Sequence, residues 1–314
     1  MSRKVIGGYL KSDLLKKDVK PYFSSTLFSN ARTCLSVILD NLSISKLYIP
    51  SYICNSLIDL IRKKNIKYEV YQIDLSFLPT RVINLECSDF FLYVNYFGIC
   101  SENIKKLKNI YGKQLVIDNS MAFFANNDEL ICFNSARKFF GVPDGAYISG
   151  INARHSLKKR CNTFSYHIKL RDNNRVFDGY KLYLYNERRL NTIDEIGSSE
   201  SLFKLKHINY AYVMKRRSDN YKYLEDNLNH CNCLIIDKIR NDIPMSYPLL
   251  IKGEIDKELL YKKNIFIPLY WKEMYYYDYN NKSSIHNLLS LPVDQNCETY
   301  DLERLIEYIK EIIL

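Results

Sequence analysis

The chain has 314 residues, 47% of them hydrophobic, which is enough apolar material for one large core, or one large and one small, and too much for a disordered polymer. Its net charge of +10 arises from 45 Lys and Arg spread along the sequence among 35 acids, without the patterning of an RNA-recognition, zinc-finger or helix-turn-helix module; a basic surface attracting a phosphorylated small molecule explains it equally well. With no apolar run of membrane-spanning length, no apolar segment behind the basic start, and nine scattered cysteines that suit reduced thiols, the reading is a cytoplasmic protein with no membrane and no nucleic-acid partner.

In chain order, residues 31–42 place Cys34, Leu35, Ile38, Leu39 and Leu42 on one helical face, and residues 53–64 do the same with Ile53, Leu57, Leu60 and Ile61. A weaker third helix is expected over 101–111. Short β-branched and aromatic runs at 46–50, 68–73, 90–96, 114–118, 130–134 and 145–149 read as strands, several continuously apolar, as expected when both sheet faces are covered. Alternation of strand and helix predicts a mostly parallel α/β sheet. The pattern changes near residue 199 to one long helix over 199–228, which leads from a large domain, 1–200, into a smaller C-terminal α+β domain, 201–314. The latter is expected to hold a strand at 245–251, an aromatic loop at 270–279 and a closing helix whose Leu302, Leu305, Ile306, Ile309 and Ile313 share a face.

Ligands of an open α/β sheet sit beyond the carboxyl ends of its strands, which directs attention to two places. Val116-Ile117-Asp118-Asn119-Ser120 ends an apolar run in a carboxylate, which by itself could simply cap the next segment. Phe133-Asn134-Ser135-Ala136-Arg137-Lys138-Phe139-Phe140-Gly141 places a lysine among aromatics before a Gly/Pro turn; it is either a surface lysine or an amine of lowered pKa suited to attack an aldehyde. Together, an acid ending one strand and a lysine following a later one are what pyridoxal-5'-phosphate (PLP) requires. The lysine forms a Schiff base with it, and the carboxylate keeps the pyridine nitrogen protonated. The phosphate would meet the start of the first helix at Ser29-Asn30-Ala31-Arg32, with Arg32 and Ser135 as side-chain contributors. His230-Cys231-Asn232-Cys233 lacks a second ligand pair, so no metal is expected.

These segments, with Tyr48-Ile49-Pro50-Ser51-Tyr52-Ile53-Cys54, Asn95-Tyr96-Phe97-Gly98, Met121-Ala122 and Gly141-Val142-Pro143-Asp144-Gly145, occur in the order of the DegT-type sugar aminotransferases. The sequence resembles a divergent branch of that family carrying an Arg-Lys-Phe-Phe-Gly lysine motif, specifically over residues 29–150. The resemblance implies an aspartate-aminotransferase-like PLP fold and a homodimer with active sites at the subunit interface. It further implies transfer of an amino group, usually from glutamate, to a nucleotide-linked keto sugar in surface-polysaccharide synthesis. Lys138 matches the cofactor-bearing lysine, Asp118 the partner of the ring nitrogen, and Asn30, Ala31 and Arg32 the phosphate turn. Lysine rather than histidine at 138 favours transamination over the family's dehydratase branch.

Three positions depart from the family pattern. Met121 stands where Gln or His commonly contacts the cofactor's phenolic oxygen, Ala31-Arg32 replaces Gly-Thr, and Cys54 occupies the place of a stacking aromatic, a task left to Tyr52 or Tyr96. Decarboxylation or elimination on a related substrate, or a non-catalytic scaffold built on the same fold, are the alternatives these departures leave open.

Overall fold

The computed structural model describes the chain except residues 1–3, 18–21, 24, 126–128, 164, 192–193, 238–240, 253–256, 269, 272–287 and 314. Its centre is a six-stranded sheet. In chain order the strands are β2 (Lys46–Pro50), β3 (Lys67–Tyr71), β4 (Asp89–Val94), β5 (Leu115–Asn119), β6 (Ile131–Asn134) and β7 (Ile148–Ser149); β1 (Ile6–Gly7) belongs elsewhere. Across the sheet the order is β3-β2-β4-β5-β6-β7, parallel except for β7, which runs against β6. Every residue of β5 is buried and β4 nearly so, consistent with a sheet covered on both faces.

The helices follow from local capping and apolar spacing. α1 (Ala31–Asn41) begins where the Asn30 side chain accepts from the Thr33 amide at 3.0 Å, and it buries Thr33 to Leu39 almost continuously. α2 (Asn55–Lys63) buries Leu57, Ile58, Leu60 and Ile61, and α3 (Ser101–Tyr111) buries Ile104 and Leu107. α4 (Tyr166–Asp172) and α5 (Val176–Leu190) form a helical hairpin that the periodicity did not announce.

The single long helix expected over 199–228 is in fact two, α6 (Ser199–Leu205) and α7 (Tyr210–Leu228). Two interactions make the break. Ile208 is bridged to Leu15 of the N-terminal segment, and the Asn209 side chain accepts from the Tyr212 amide at 3.3 Å, starting α7 afresh.

Beyond α7, β8 (Ser246–Leu250) pairs antiparallel with β10 (Leu288–Pro292), and α9 (Thr299–Ile313) packs its Leu302, Leu305, Ile306 and Ile309 inward. α8 (Lys257–Lys262) and β9 (Ile265–Phe266) lie between them, and β9 pairs in parallel with β1. The chain's opening residues are thus stitched to its last third. Most of the aromatic loop expected at 270–279 lies outside the described residues, although Tyr270 and Trp271 are within them. This is the aspartate-aminotransferase-like α/β architecture, its mostly parallel sheet presenting the carboxyl ends of β5 and β6 side by side.

Candidate active site

The register of the sheet brings the two principal residues together. β5 and β6 are parallel neighbours with Asp118 opposite Phe133 and Asn119 opposite Asn134, so both chains leave the sheet at the same edge. Asp118 is 4% exposed, and its Oδ1 accepts the Ser120 amide at 2.7 Å. Four residues past the end of β6, in a 3-10 turn over Ala136–Lys138, comes Lys138. Burial raises the Asp118 pKa, an effect that the Lys138 ammonium and hydrogen bonds from Ser120 oppose. Burial likewise lowers the Lys138 pKa against the attraction of Asp118, and Arg137 lowers it further. The pair is close enough for each to act on the other's proton, and the Lys138 Nζ also lies 5.8 Å from the centre of the Tyr270 ring.

A backbone ladder joins the lysine turn to the start of α1. Phe28 and Ala146 exchange hydrogen bonds at 2.8 and 2.9 Å, Gly145 donates to the Ser29 carbonyl at 2.8 Å, and Ala136 donates to Gly145 at 2.9 Å. At the helix start the Thr33 amide is taken by Asn30, whereas the amides of Ala31 and Arg32 have no protein acceptor among the described residues. Both residues are half-buried. Ser135 is 2% exposed and its hydroxyl makes no hydrogen bond among the described residues. The unused amides at the positive end of this eleven-residue helix are chemically suited to an anion such as a phosphate group.

The other expected residues are distributed around this centre. The Arg32 guanidinium donates to the Leu190 carbonyl at 2.9 Å, and burial together with Arg137 lowers its pKa. Tyr52 is buried with Trp271 edge-on to it at 4.5 Å. Tyr96 is fully buried behind Tyr52, donating its hydroxyl to the Tyr52 carbonyl at 2.8 Å and stacking on Phe77, so it supports Tyr52 from within. Met121 is fully buried in the segment following Asp118. Cys54, at the start of α2, is half-buried with its Sγ 3.0 Å from Ser56 Oγ, and it acts electrostatically on both Lys138 and Arg32. Asn134 holds the β6–β7 register, its Oδ1 accepting the Tyr147 amide at 2.9 Å.

Four contributors gave no signal in the sequence. Glu187 of α5 pairs with Arg137. Arg217 of α7 is fully buried and donates to Gln295 Oε1 at 3.0 Å, to the Met245 carbonyl at 3.0 Å and to the Phe139 carbonyl at 3.1 Å. Gln295 in turn donates to Phe139 and to Asp13, and Asp13 accepts the Gly141 amide at 2.7 Å. This network immobilises the residues just after Lys138. Beside it opens a cavity of about 730 Å³, lined by Lys138 and Arg137 together with Tyr9, Tyr183, Phe266 and Tyr270.

The donor set fits PLP. A buried carboxylate stands at the strand end where a ring nitrogen needs an anion, an amine of lowered pKa sits beside it, and unused N–H and O–H donors lie where the phosphate would rest. No protein-family model matches the sequence, and no curated protein does. Solved structures do match. A DegT DnrJ EryC1 StrS aminotransferase from Brucella abortus is similar over 92% of this chain and 85% of its own, with a TM-score of 0.58 at 13% identity. The fold is that of the DegT-type aminotransferases. DesV of S. venezuelae, solved in complex with a ketimine intermediate, matches with a TM-score of 0.59 at 14% identity over 91% of this chain and 84% of its own. Helicobacter pylori PseC, an aminotransferase involved in the biosynthesis of pseudoaminic acid, shares the fold over 99% of both chains with a TM-score of 0.59 at 12% identity. Among the described residues, no helix is long and apolar enough to cross a membrane.

Proposed function

We propose that the chain is a PLP-dependent aminotransferase of the DegT type that passes an amino group from an amino acid, glutamate by preference, to a keto sugar, nucleotide-linked, in surface-polysaccharide synthesis. It acts as a cytoplasmic homodimer, with residues 1–200 as its large domain and 201–314 as its small one. The observation that carries this reading is the pairing of Asp118 and Lys138 at adjacent strand ends, each shifting the other's proton affinity.

When bound, PLP supplies an aldehyde that captures amines and a ring that withdraws electrons. Lys138 would hold the cofactor through its Nζ and, as a free amine, would be the group that takes up and gives back a proton beside the substrate. Burial lowers its pKa, which favours the neutral amine, the form that accepts a proton. Asp118 would be the anion that keeps the cofactor's ring nitrogen protonated. The Ala31 and Arg32 amides, with Ser135, would hold the phosphate, and Tyr52 would supply an aromatic surface for the ring. The cavity beside Lys138 receives the acceptor, its tyrosines offering flat faces and hydroxyls suited to a sugar.

The test is an absorbance spectrum of the protein with PLP, before and after glutamate, for wild type and Lys138→Ala. A long-wavelength band that requires Lys138 and that glutamate converts to the pyridoxamine form supports the reading; a colourless wild type after reconstitution rejects it. One observation favours a second reading, a non-catalytic protein on the same fold. The Thr33 hydroxyl, beside the proposed phosphate cradle, donates to the Asp194 carboxylate at 3.3 Å, bringing a negative charge toward the place a phosphate would occupy. The same spectrum separates the two.

A further inference from the structure

The C-terminal turn of α5 is gripped by three residues of the candidate site. Asn30 Nδ2 and the Arg32 guanidinium both donate to the Leu190 carbonyl, at 3.2 and 2.9 Å, and one turn earlier the Glu187 carboxylate pairs with Arg137. The phosphate cradle and the lysine turn are thereby fastened to the same helix end. Arg137 immediately precedes Lys138 in the 3-10 turn, and its Nε is buried without a hydrogen-bond partner, so Glu187 is its principal anchor.

We propose that Glu187 is a positioning residue: by holding and neutralising Arg137 it fixes the turn that presents Lys138 and sets the charge that the Lys138 amine experiences. The argument rests on Lys138 being the reactive amine proposed above. Around Lys138 stand the Asp118 carboxylate from β5, the Cys54 thiol preceding α2, the Arg137 guanidinium and the Tyr270 ring. Around Arg137 stand Glu187 and Tyr183 from α5, Asp144 and Cys161 from the loops, and Arg32 from α1. Glu187 is the carboxylate ion-paired with Arg137. Without its charge, the Arg137 guanidinium beside Lys138 is less fully neutralised, and the Lys138 ammonium gives up its proton at lower pH.

The experiment needs no cofactor. Cofactor-free protein is pulse-labelled with acetic anhydride across a pH series, and acetylation of Lys138 is followed by mass spectrometry. In Glu187→Gln the labelling midpoint should fall by about half a pH unit or more, roughly the effect of one partly screened charge. Glu187→Asp should restore most of the wild-type midpoint. In an Arg137→Gln background, Glu187→Gln should shift it far less, because Arg137 is the intermediary. Unchanged midpoints, or equal shifts in both backgrounds, overturn the proposal, even if Glu187→Gln lowers the melting temperature. Should Glu187→Gln fail to fold, the Glu187→Asp and Arg137→Gln series decides alone: the proposal requires Arg137→Gln to raise the midpoint. Because labelling is read without PLP, a failure here is distinguishable from a wild type that does not bind PLP.

Discussion

Gly145 donates its amide to the carbonyl of Ser29 at 2.8 Å, so the loop following Lys138 and the turn preceding α1 are held at a fixed separation. Gly145 does this at φ +129°, and a Cβ there would lie 3.3 Å from both Ala136 Cβ and Leu27 Cδ1. Gly145→Ala is therefore expected to destabilise by on the order of 1–3 kcal/mol, through strain and crowding. It should also weaken PLP binding, since lysine and phosphate cradle would no longer be held together. Urea denaturation and a PLP titration by absorbance check the two parts.

Asp118 should matter for chemistry and little for stability. Its pKa is raised in the fold by burial, so the stability it contributes is present at low pH and is lost as pH rises through the folded value. Asp118→Asn removes a carboxylate that is costly to bury ionised, and its denaturation midpoint at pH 8 should equal or exceed that of wild type. The glutamate-driven spectral change should slow by roughly a hundredfold or more, because the ring nitrogen loses its anion. A destabilised variant with unchanged rate contradicts both expectations.

Asp13 gives a dependence within the working pH range. Burial raises its pKa to about 6, against hydrogen bonds from Gly141 and Gln295 and the charge of Arg217, with Asp294 adding to the rise. Between the unfolded value and about 6 the native state binds more protons than the unfolded one, so stability falls as pH rises through that window. The effect is on the order of 3 kcal/mol across the whole window. Wild type should lose urea resistance between pH 4 and pH 6.5, and Asp13→Asn should lose distinctly less.

Arg217 is costly to truncate. Arg217→Met removes donors from Gln295 and from the carbonyls of Phe139, Pro244 and Met245, all buried. A loss of roughly 3–5 kcal/mol is expected. The same change should loosen the loop after Lys138, measurable as faster amide hydrogen exchange over residues 139–142.

The sheet was legible because parallel strands buried on both faces must be apolar throughout. β2 spans Lys46–Pro50 as read, and β4, β5 and β6 differ from expectation by a residue or two at their ends. The helical hairpin of α4 and α5 was not legible, because α5 turns Gly179, Asn186 and Leu190 inward and leaves Phe177, Tyr180 and Tyr185 exposed, the reverse of an apolar stripe. The break between α6 and α7 depends on Leu15, almost two hundred residues away, and no local rule reports such a contact. For the same reason Asp118 and Lys138 stood out in sequence, each at a strand end, while Glu187, Arg217 and Asp13 reach the site only through tertiary contacts.

The parallel pairing of Ile6 with Ile265 also has a meaning in time. A chain emerging from the ribosome presents Ile6 and Asp13 long before their partners Ile265 and Gln295 exist. The central sheet, complete by Ser149, can collapse while synthesis continues, but the part of the cavity wall beside Lys138 that comes from Phe266, Ile267 and Tyr270 is added only after those residues emerge. Nascent chains halted before residue 265 would therefore carry an assembled sheet with the Lys138 cavity lacking that wall.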